Sequence, residues 1–223
     1  VSEMIESIAS VYERLGDTRC NFECCDTTFR IQATGVRADA AVTAAQETVE
    51  SLEAQLNAFD AASAVSQLNR EGEVKNEHVA RIVRRGLEYN DRTDEVFDIH
   101  QGRVEQDLKA FLRGDSETPA TSFDTGTLRV RGSYVATDVE LDLNGLAKGY
   151  IVDRASKALG GVGRRGFVSG GGDMSPPTGP VAIESPYGDD TTLKVLDTDW
   201  YVATSGGYRR SRNGTDHVYD PTT

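Results

Sequence analysis

The spacing of apolar residues changes from two to three or four within the first quarter of the chain, and this change restricts the folds open to it. Residues 22–33 alternate apolar and polar side chains on either side of Asp26, which is the pattern of a strand pair with one buried face. Residues 42–56 instead repeat apolar side chains every three or four positions, as the buried face of a helix does. Because strand and helix patterns are clustered and do not alternate strictly, we expect an α+β fold, a single unit with mixed or antiparallel sheets flanked by helices.

Further helices follow from the same periodicity. They are predicted over 5–15, 40–57, 78–90 and 145–159. The polar segment 59–69 is expected to be a loop, and the polar connection near 115–120 is a possible subdomain boundary.

The later part of the chain is richer in glycine and in strand patterns. Strands are predicted over 135–143 and 166–168. The segments 193–196 and 200–204 are expected to pair as a hairpin. Residues 208–217 are expected to fold about Asn213-Gly214, a dipeptide that favours tight turns.

The charge balance excludes some classes of partner. The 223 residues carry 36 acidic and 24 basic side chains, a formal net charge of −12, which repels the phosphate backbone of nucleic acid. No apolar run reaches the roughly 18 residues of a spanning helix, so we expect no membrane-spanning segment. The three cysteines are too few for a disulfide framework and lack C-x-x-C spacing, so buried thiols are the simplest interpretation.

The segment 140–150 is the first candidate binding site. A predicted strand ends there in an acidic residue, and a helix opens with Gly145 and Lys148. Unpaired N–H groups at a helix start and a lysine one turn later attract anions, so a phosphate could bind. An ordinary capped helix with a solvated lysine is the alternative.

Two further segments carry candidate chemistry. Gly170, Gly171 and Gly172 follow a predicted strand and would let backbone approach a flat or charged ligand, although a plain turn gives the same pattern. His217 lies three residues before Asp220 and could be a general base near neutral pH. A hairpin-end histidine bonded to its neighbours is the alternative.

Seven segments, taken in order along the chain, match motifs of one known protein family. Residues 25–29 stand where that family has Met-Gly-Thr-Thr-Tyr, and residues 142–150 with Asp153 follow its Asp-Leu-Gly-Gly-Ile-Ala-Lys-Gly-Tyr-x-x-Asp. The remaining matches are Phe59 to Asn69, Phe97-Asp98 with Gly102, the Gly-Gly-Asp at 171–173, the Ala-Thr-Ser-Gly at 203–206 and the His-x-x-Asp-Pro at 217–221. Through these segments the chain resembles the ApbE-like family of FAD:protein FMN transferases.

The resemblance implies a tunnelling-fold-like ApbE domain over residues 1–223 and a Mg²⁺-dependent enzyme. Such an enzyme splits FAD, its substrate, transfers FMN to a threonine of a partner flavoprotein and releases AMP. By the same resemblance, His217 activates the acceptor threonine and the backbone carbonyl of Gly145 binds the metal. Contact with FAD is implied for Cys25, Phe59, Asp98, Asp142, Lys148, Gly171 and Gly172.

The chain departs from the family pattern at three places. Cys25 replaces the family methionine, and Phe59 replaces a stacking tyrosine, so ring area is kept while a hydroxyl contact is lost. Residues 99–101 replace Pro-Thr-Val. The chain ends at Thr223, before the family's Asp-Ala-x-x-Thr segment, so we expect a chain truncated at its C-terminus whose remaining metal ligands lie beyond Thr223.

Two other functions stay open at this level. A FAD pyrophosphatase would use the same groups with water as the acceptor, giving free FMN and AMP. A non-catalytic flavin-binding protein would keep the glycine and lysine elements without needing His217. The family is often found at the cell envelope, but the chain shows no signal or anchor, so its compartment stays open.

Overall fold

The computed structural model describes residues 17–118, 125–160, 165–185, 191–205, 211–213 and 215–216. The predicted helix over 5–15 and the predicted base His217 lie outside these residues. By its contacts the chain divides into two compact units. The first comprises the described parts of Val1–Glu53 and Lys148–Thr204, and the second those of Ala54–Ala147 and Ser205–Thr223. The predicted boundary near 115–120 falls within the second unit and stays a prediction.

An antiparallel sheet is the main feature of the first unit. Its strands are β1 (Asp17–Cys24), β2 (Thr27–Thr34), β6 (Arg165–Gly170), β7 (Asp173–Met174) and β10 (Val202–Ala203), in that spatial order. Alternate side chains of β2 share one face of the sheet, as in any pleated strand, and those on the inward face, Phe29, Ile31 and Ala33, are buried. A separate hairpin pairs β8 (Val181–Glu184) with β9 (Thr192–Leu196).

Two long helices contribute residues to this unit, α1 (Ala38–Leu56) and α5 (Asn144–Leu159), and the divisions between the units fall inside them. Val42, Ala45 and Val49 of α1 are buried, as their three- and four-residue spacing predicts. In α5, Leu159 lies against β6, because its Cδ2 would be 3.0 Å from a Cβ on Gly166.

The second unit has a smaller sheet with three helices. They are α2 (Ala64–Glu71), α3 (Glu77–Arg92) and α4 (Gly102–Arg113). The sheet is antiparallel with strand order β3 (Glu73–Lys75), β5 (Tyr134–Thr137) and β4 (Leu128–Arg131). A short hairpin, β11 (Ser211–Arg212) with β12 (Thr215–Asp216), turns at Asn213, whose φ is 52°.

The structure confirms the α+β class, the antiparallel sheets, the three long helices and the turn at Asn213. The segment 59–69 is not all loop, since Ser63 caps α2 by accepting a hydrogen bond from the Ser66 N–H. The strand predicted over 135–143 ends at Thr137. The hairpin predicted between 193–196 and 200–204 is wrong: β9 pairs with β8, and β10 pairs with β7.

No helix in the described part of the chain is both long and apolar enough to cross a membrane.

Candidate active site

In the first unit, Lys148 is brought onto the glycine turn between β6 and β7. Its Nζ lies 2.8 Å from the point where a Cβ on Gly171 would stand, and Thr27 Oγ1 lies 3.1 Å from the same point. Gly171 has a φ of 56°, a conformation that L side chains rarely adopt. An ammonium and a hydroxyl therefore lie beside bare backbone in this unit.

The second glycine of the turn is held by Thr204. The Thr204 N–H donates to the Gly172 carbonyl at 3.0 Å, and a Cβ on Gly172 would be 3.1 Å from the Thr204 carbonyl oxygen. With a φ of 94° at Gly172, the turn has both a close approach and a left-handed backbone. Thr204 thus supports the glycine turn from the side.

Asp173 was not singled out as a site residue, yet it lies near Lys148. Its side chain is half-buried, and burial raises the pKa of this carboxyl, although the Lys148 charge opposes that rise. A carboxylate directly after a glycine pair was the available signal. The first unit therefore joins Lys148, Asp173 and Thr27 around the turn.

Cys25 stands at the tip of the β1–β2 hairpin, where Cys25 and Asp26 form a two-residue turn with φ of 53° at both. The Cys24 and Cys25 sulfurs are 3.8 Å apart. Both residues are only half-buried, whereas the sequence analysis expected buried thiols. A hydrogen bond from Cys24 lowers the pKa of Cys25 against the opposing effect of burial, and the Lys148 charge lowers it further.

In the second unit, the backbone before α5 is fixed by residues from three of the matched motifs. Asn69 bonds Leu141 twice: its Nδ2 donates to the Leu141 carbonyl at 3.0 Å, and its Oδ1 accepts from the Leu141 N–H at 2.9 Å. A Cβ on Gly102 would be 2.7 Å from the carbonyl carbons of Glu140 and Leu141, so only glycine fits there. The Asp142 N–H donates to the Ile99 carbonyl at 2.9 Å.

This arrangement links three predicted site residues through the backbone: Asp98 precedes Ile99, whose carbonyl accepts from the Asp142 N–H, and Gly145 follows three residues later in α5. The Asp142 Oδ1 accepts hydrogen bonds from the Asn144 N–H at 3.0 Å and from its side-chain amide at 2.5 Å, which caps the start of α5. Gly145 is exposed, and a Cβ there would be 3.4 Å from the Phe97 ring. Asp142 therefore stabilises the start of α5 through Oδ1, and its Oδ2 takes part in neither of these bonds.

The residues that replace the family's Pro-Thr-Val bind Asp98 directly. His100 contributes a backbone N–H at 3.0 Å and Nδ1 at 2.6 Å to Asp98 Oδ1, and the buried Gln101 donates Nε2 to Oδ2 at 2.7 Å. Burial by itself would raise the pKa of Asp98, but these hydrogen bonds outweigh it and lower the pKa. The same bond raises the pKa of His100. Nothing in the sequence signalled that this divergent segment would bind the carboxylate of Asp98.

Phe59 lies in the loop before α2 with 60 % of its surface exposed. Its N–H donates to Asn57 Oδ1, and Ser66 Oγ donates to the Ala58 carbonyl, so the loop is fixed while the ring stays accessible. Lys109 Nζ lies 5.5 Å from the ring centroid, a cation–π distance. An exposed, oriented ring is what stacking on a planar ligand requires.

The described residues do not by themselves fit Mg²⁺. Among them, no three His, Cys, Asp or Glu side chains lie close enough together to hold a metal ion. Mg²⁺ prefers octahedral oxygen ligands, and the Gly145 carbonyl with one nearby carboxylate would supply only part of that set. We therefore derive no chemical step through a metal.

Solved structures define the class to which this fold belongs. The chain aligns with the ApbE protein of Thermotoga maritima at a TM-score of 0.78 and 21 % identity, covering 93 % of this chain and 77 % of that one. For the flavin transferase ApbE of Vibrio cholerae the values are 0.72, 20 %, 93 % and 77 %. For the apo flavinyl transferase ApbE of Pseudomonas stutzeri they are 0.73, 21 %, 92 % and 75 %. At these identities the likeness establishes the fold.

The family follows from the sequence profile. The profile of the ApbE family matches residues 25–223, nearly the whole chain. The chain belongs to the ApbE family. No curated protein matches it.

Proposed function

We propose that the protein is a FAD:protein FMN transferase that moves FMN from FAD to a threonine of a partner flavoprotein, depends on Mg²⁺ and releases AMP. Family membership supports this proposal, as does the likeness to proteins named flavin transferases. The observation that carries it is the position of Lys148 Nζ beside the bare backbone of Gly171.

That position suits a phosphate better than it suits a structural ion pair. Lys148 would supply the charge, and Thr27 Oγ1 a hydroxyl donor. The absence of side chains at Gly171 and Gly172 would let phosphate oxygens approach the backbone. The Thr204 N–H already holds the backbone of the turn through the Gly172 carbonyl, and a preorganised backbone favours charge stabilisation during phosphoryl transfer.

The other proposed roles fall on further residues of the matched motifs. Phe59 would stack on a ring of FAD, while Asp98 and Asp142 would contact it through the lone pairs that their own hydrogen bonds leave open. Cys25 would lie beside the flavin or adenine. The Gly145 carbonyl stays the proposed metal ligand, and we assign the metal no step.

His217 is the proposed base. In the transfer, the threonine Oγ forms a bond to the phosphorus of the FMN half as the anhydride oxygen leaves with AMP, and the hydroxyl proton passes to the imidazole. FAD and a threonine thus give a phosphothreonyl-type FMN ester, AMP and one proton. A neutral imidazole is well matched to this proton transfer near pH 7.

Lys148 can be tested against a second lysine of the same helix. Lys148→Ala should weaken FAD binding about ten-fold or more, the scale of a charged hydrogen bond. Lys157→Ala is the matched control, because Lys157 is 62 % exposed and pairs with Asp153 at 2.6 Å. Titration of FAD fluorescence measures both, and equal affinity of the two variants would contradict the phosphate role of Lys148.

The product identifies the reaction. The protein is incubated with FAD, Mg²⁺ and a threonine-bearing flavoprotein, and mass spectrometry follows AMP and the acceptor. An acceptor heavier by FMN supports the transferase, whereas free FMN with an unmodified acceptor would make the protein a FAD pyrophosphatase. FAD bound without AMP release would leave a flavin-binding protein.

The base and the metal are tested in the same assay. His217→Ala should keep FAD affinity while transfer slows by roughly 10² to 10⁴. Chelation by EDTA should stop transfer, and added Mg²⁺ should restore it. Transfer at the parent rate in the variant would assign the proton to another group.

A further inference from the structure

We propose that Cys24 and Cys25 form a redox modification site, in which a hydroperoxide oxidises Cys25 and Cys24 then closes a reversible disulfide with it. The site is built from the tip of the β1–β2 hairpin. It is independent of the proposed transfer reaction, which uses neither thiol as a nucleophile.

Geometry is the first support. In a regular strand, neighbouring side chains point to opposite faces, but the left-handed turn conformation at Cys25 brings the two sulfurs to 3.8 Å. Both residues are half-buried, so a small oxidant can reach them without unfolding of the hairpin. Two thiols that are in contact and partly exposed are the arrangement of a reactive and a resolving cysteine.

Charge distinguishes the two thiols. The hydrogen bond with Cys24 lowers the pKa of Cys25 and the Lys148 charge lowers it further, against burial and the negative charges of Glu53 and Asp26, while the same contact raises the pKa of Cys24. Because the thiolate is the nucleophile, Cys25 is the attacking sulfur and Cys24 the resolving one. Cys20 offers an internal comparison, since its thiol donates to Gln46 Oε1 at 3.1 Å.

The reaction balances without a further reagent. The Cys25 thiolate attacks one peroxide oxygen, the O–O bond breaks, and a sulfenic acid remains. The leaving hydroxide or alkoxide takes up the proton that Cys25 lost on ionisation, so water or an alcohol is released. The Cys24 sulfur then attacks that sulfur, the hydroxyl leaves with the Cys24 proton as water, and the S–S bond forms. Two electrons pass from the sulfurs to the peroxide.

The disulfide would be easily reduced. Adjacent Cα atoms are about 3.8 Å apart across a trans peptide, less than the roughly 4.4–6.8 Å of ordinary disulfides. Strained disulfides have the more oxidising potentials typical of labile, regulatory bonds. Reversal by a dithiol is therefore expected.

The test uses hydrogen peroxide on the full chain, followed by digestion and mass spectrometry. Cleavage after Arg19, Glu23 and Arg30 separates Cys20 from the Cys24–Cys25 peptide. We expect that peptide to lose two hydrogens about ten-fold faster than Cys20 is oxidised, and dithiothreitol to restore it. Oxidation of all three cysteines at one rate, or sulfinic acid as the first product, would overturn the proposal.

Two variants separate the roles of the thiols. Cys24→Ser should accumulate a sulfenic acid at Cys25 that a cyclic 1,3-dione traps and that excess peroxide oxidises further to the sulfinic acid, because no disulfide can form to protect it. Cys25→Ser should leave Cys24 as slow to react as Cys20. The reverse pattern would assign the attacking thiol to Cys24 and contradict the mechanism.

FAD affinity of the oxidised protein is a second measurement, and unlike the first it rests on the proposed function. Closure of the ring moves Cys25 relative to Lys148, so FAD affinity should fall and return on reduction. A disulfide that forms without any change in FAD affinity would count against the proposed place of Cys25 beside FAD, and absence of the disulfide would count against the thiol proposal.

Discussion

Replacement of Asn69 by alanine tests whether the matched motifs of the second unit serve mainly to fix backbone. Asn69→Ala removes both hydrogen bonds to Leu141 and leaves the N–H and carbonyl of a residue that is only 1 % exposed without these partners. Net hydrogen bonds contribute about 1 kcal/mol each, and a buried unpaired group costs about 1–3 kcal/mol. Alanine in place of asparagine stabilises α2 by roughly 0.5 kcal/mol.

The expected net loss is therefore about 2–4 kcal/mol of the free energy of unfolding. For a protein of this size that loss corresponds to a fall of roughly 5–12 °C in the unfolding midpoint, measured by circular dichroism. Gln67→Ala is the matched control on the same helix, because Gln67 bonds the exposed Glu71 at 3.0 Å. It should change stability by less than about 0.5 kcal/mol. If both variants unfolded at the same temperature, the bonds to Leu141 would not be what fixes the backbone before α5.

Three further predictions follow from the described contacts. Gly102→Ala should lower the free energy of unfolding by about 1–3 kcal/mol, because its Cβ would collide with neighbouring backbone. Gly149→Ala lies in open space within a helix and should raise it by about 0.5–1 kcal/mol, and urea unfolding compares the two variants. The pKa of His100 is raised, so its bond to Asp98 stabilises the folded protein fully below pH 6.5, and this stabilisation is lost as the pH rises through the pKa of the folded state. The free energy of unfolding should therefore exceed that of His100→Gln by less and less above pH 6.5. A constant difference between pH 5 and 9 would contradict this. Arg212→Ala removes two 2.7 Å bonds to carbonyls at the end of α4 and should speed hydrogen exchange in the β11–β12 hairpin about ten-fold; unchanged exchange would refute the anchoring role.

The long helices were predictable because each has a repeating buried face. The helix α2 was missed since it buries only Val65 and Leu68, yet Ser63 before it and Gly72 after it are ordinary cap residues and could have revealed it. The helix α4 had its own signal in Val104, Leu108 and Phe111 with Gly114 behind them.

Strand pairing was less predictable than strand position. Short strands such as β9 and β10 carry no register information of their own, because partner choice depends on contacts far away in the chain. The order of the family motifs suggested that Lys148 and the glycine turn belong to one site. The hydrogen bonds from His100 to Asp98 were not predictable in this way. A divergent segment offers no template for its own hydrogen bonds.

The pairing of β2 with β6 governs when the first unit can form during synthesis. Phe29 lies opposite Gly170, so the partners are 141 residues apart in the chain (170 − 29). At about 5–20 residues per second, a ribosome needs roughly 7–28 s to make the second partner after the first. Through that interval β2 has β1 beside it but no strand on its other edge, and an apolar strand with an open edge is prone to pair with another chain. A chaperone that shields open strand edges should therefore raise the soluble yield of this chain.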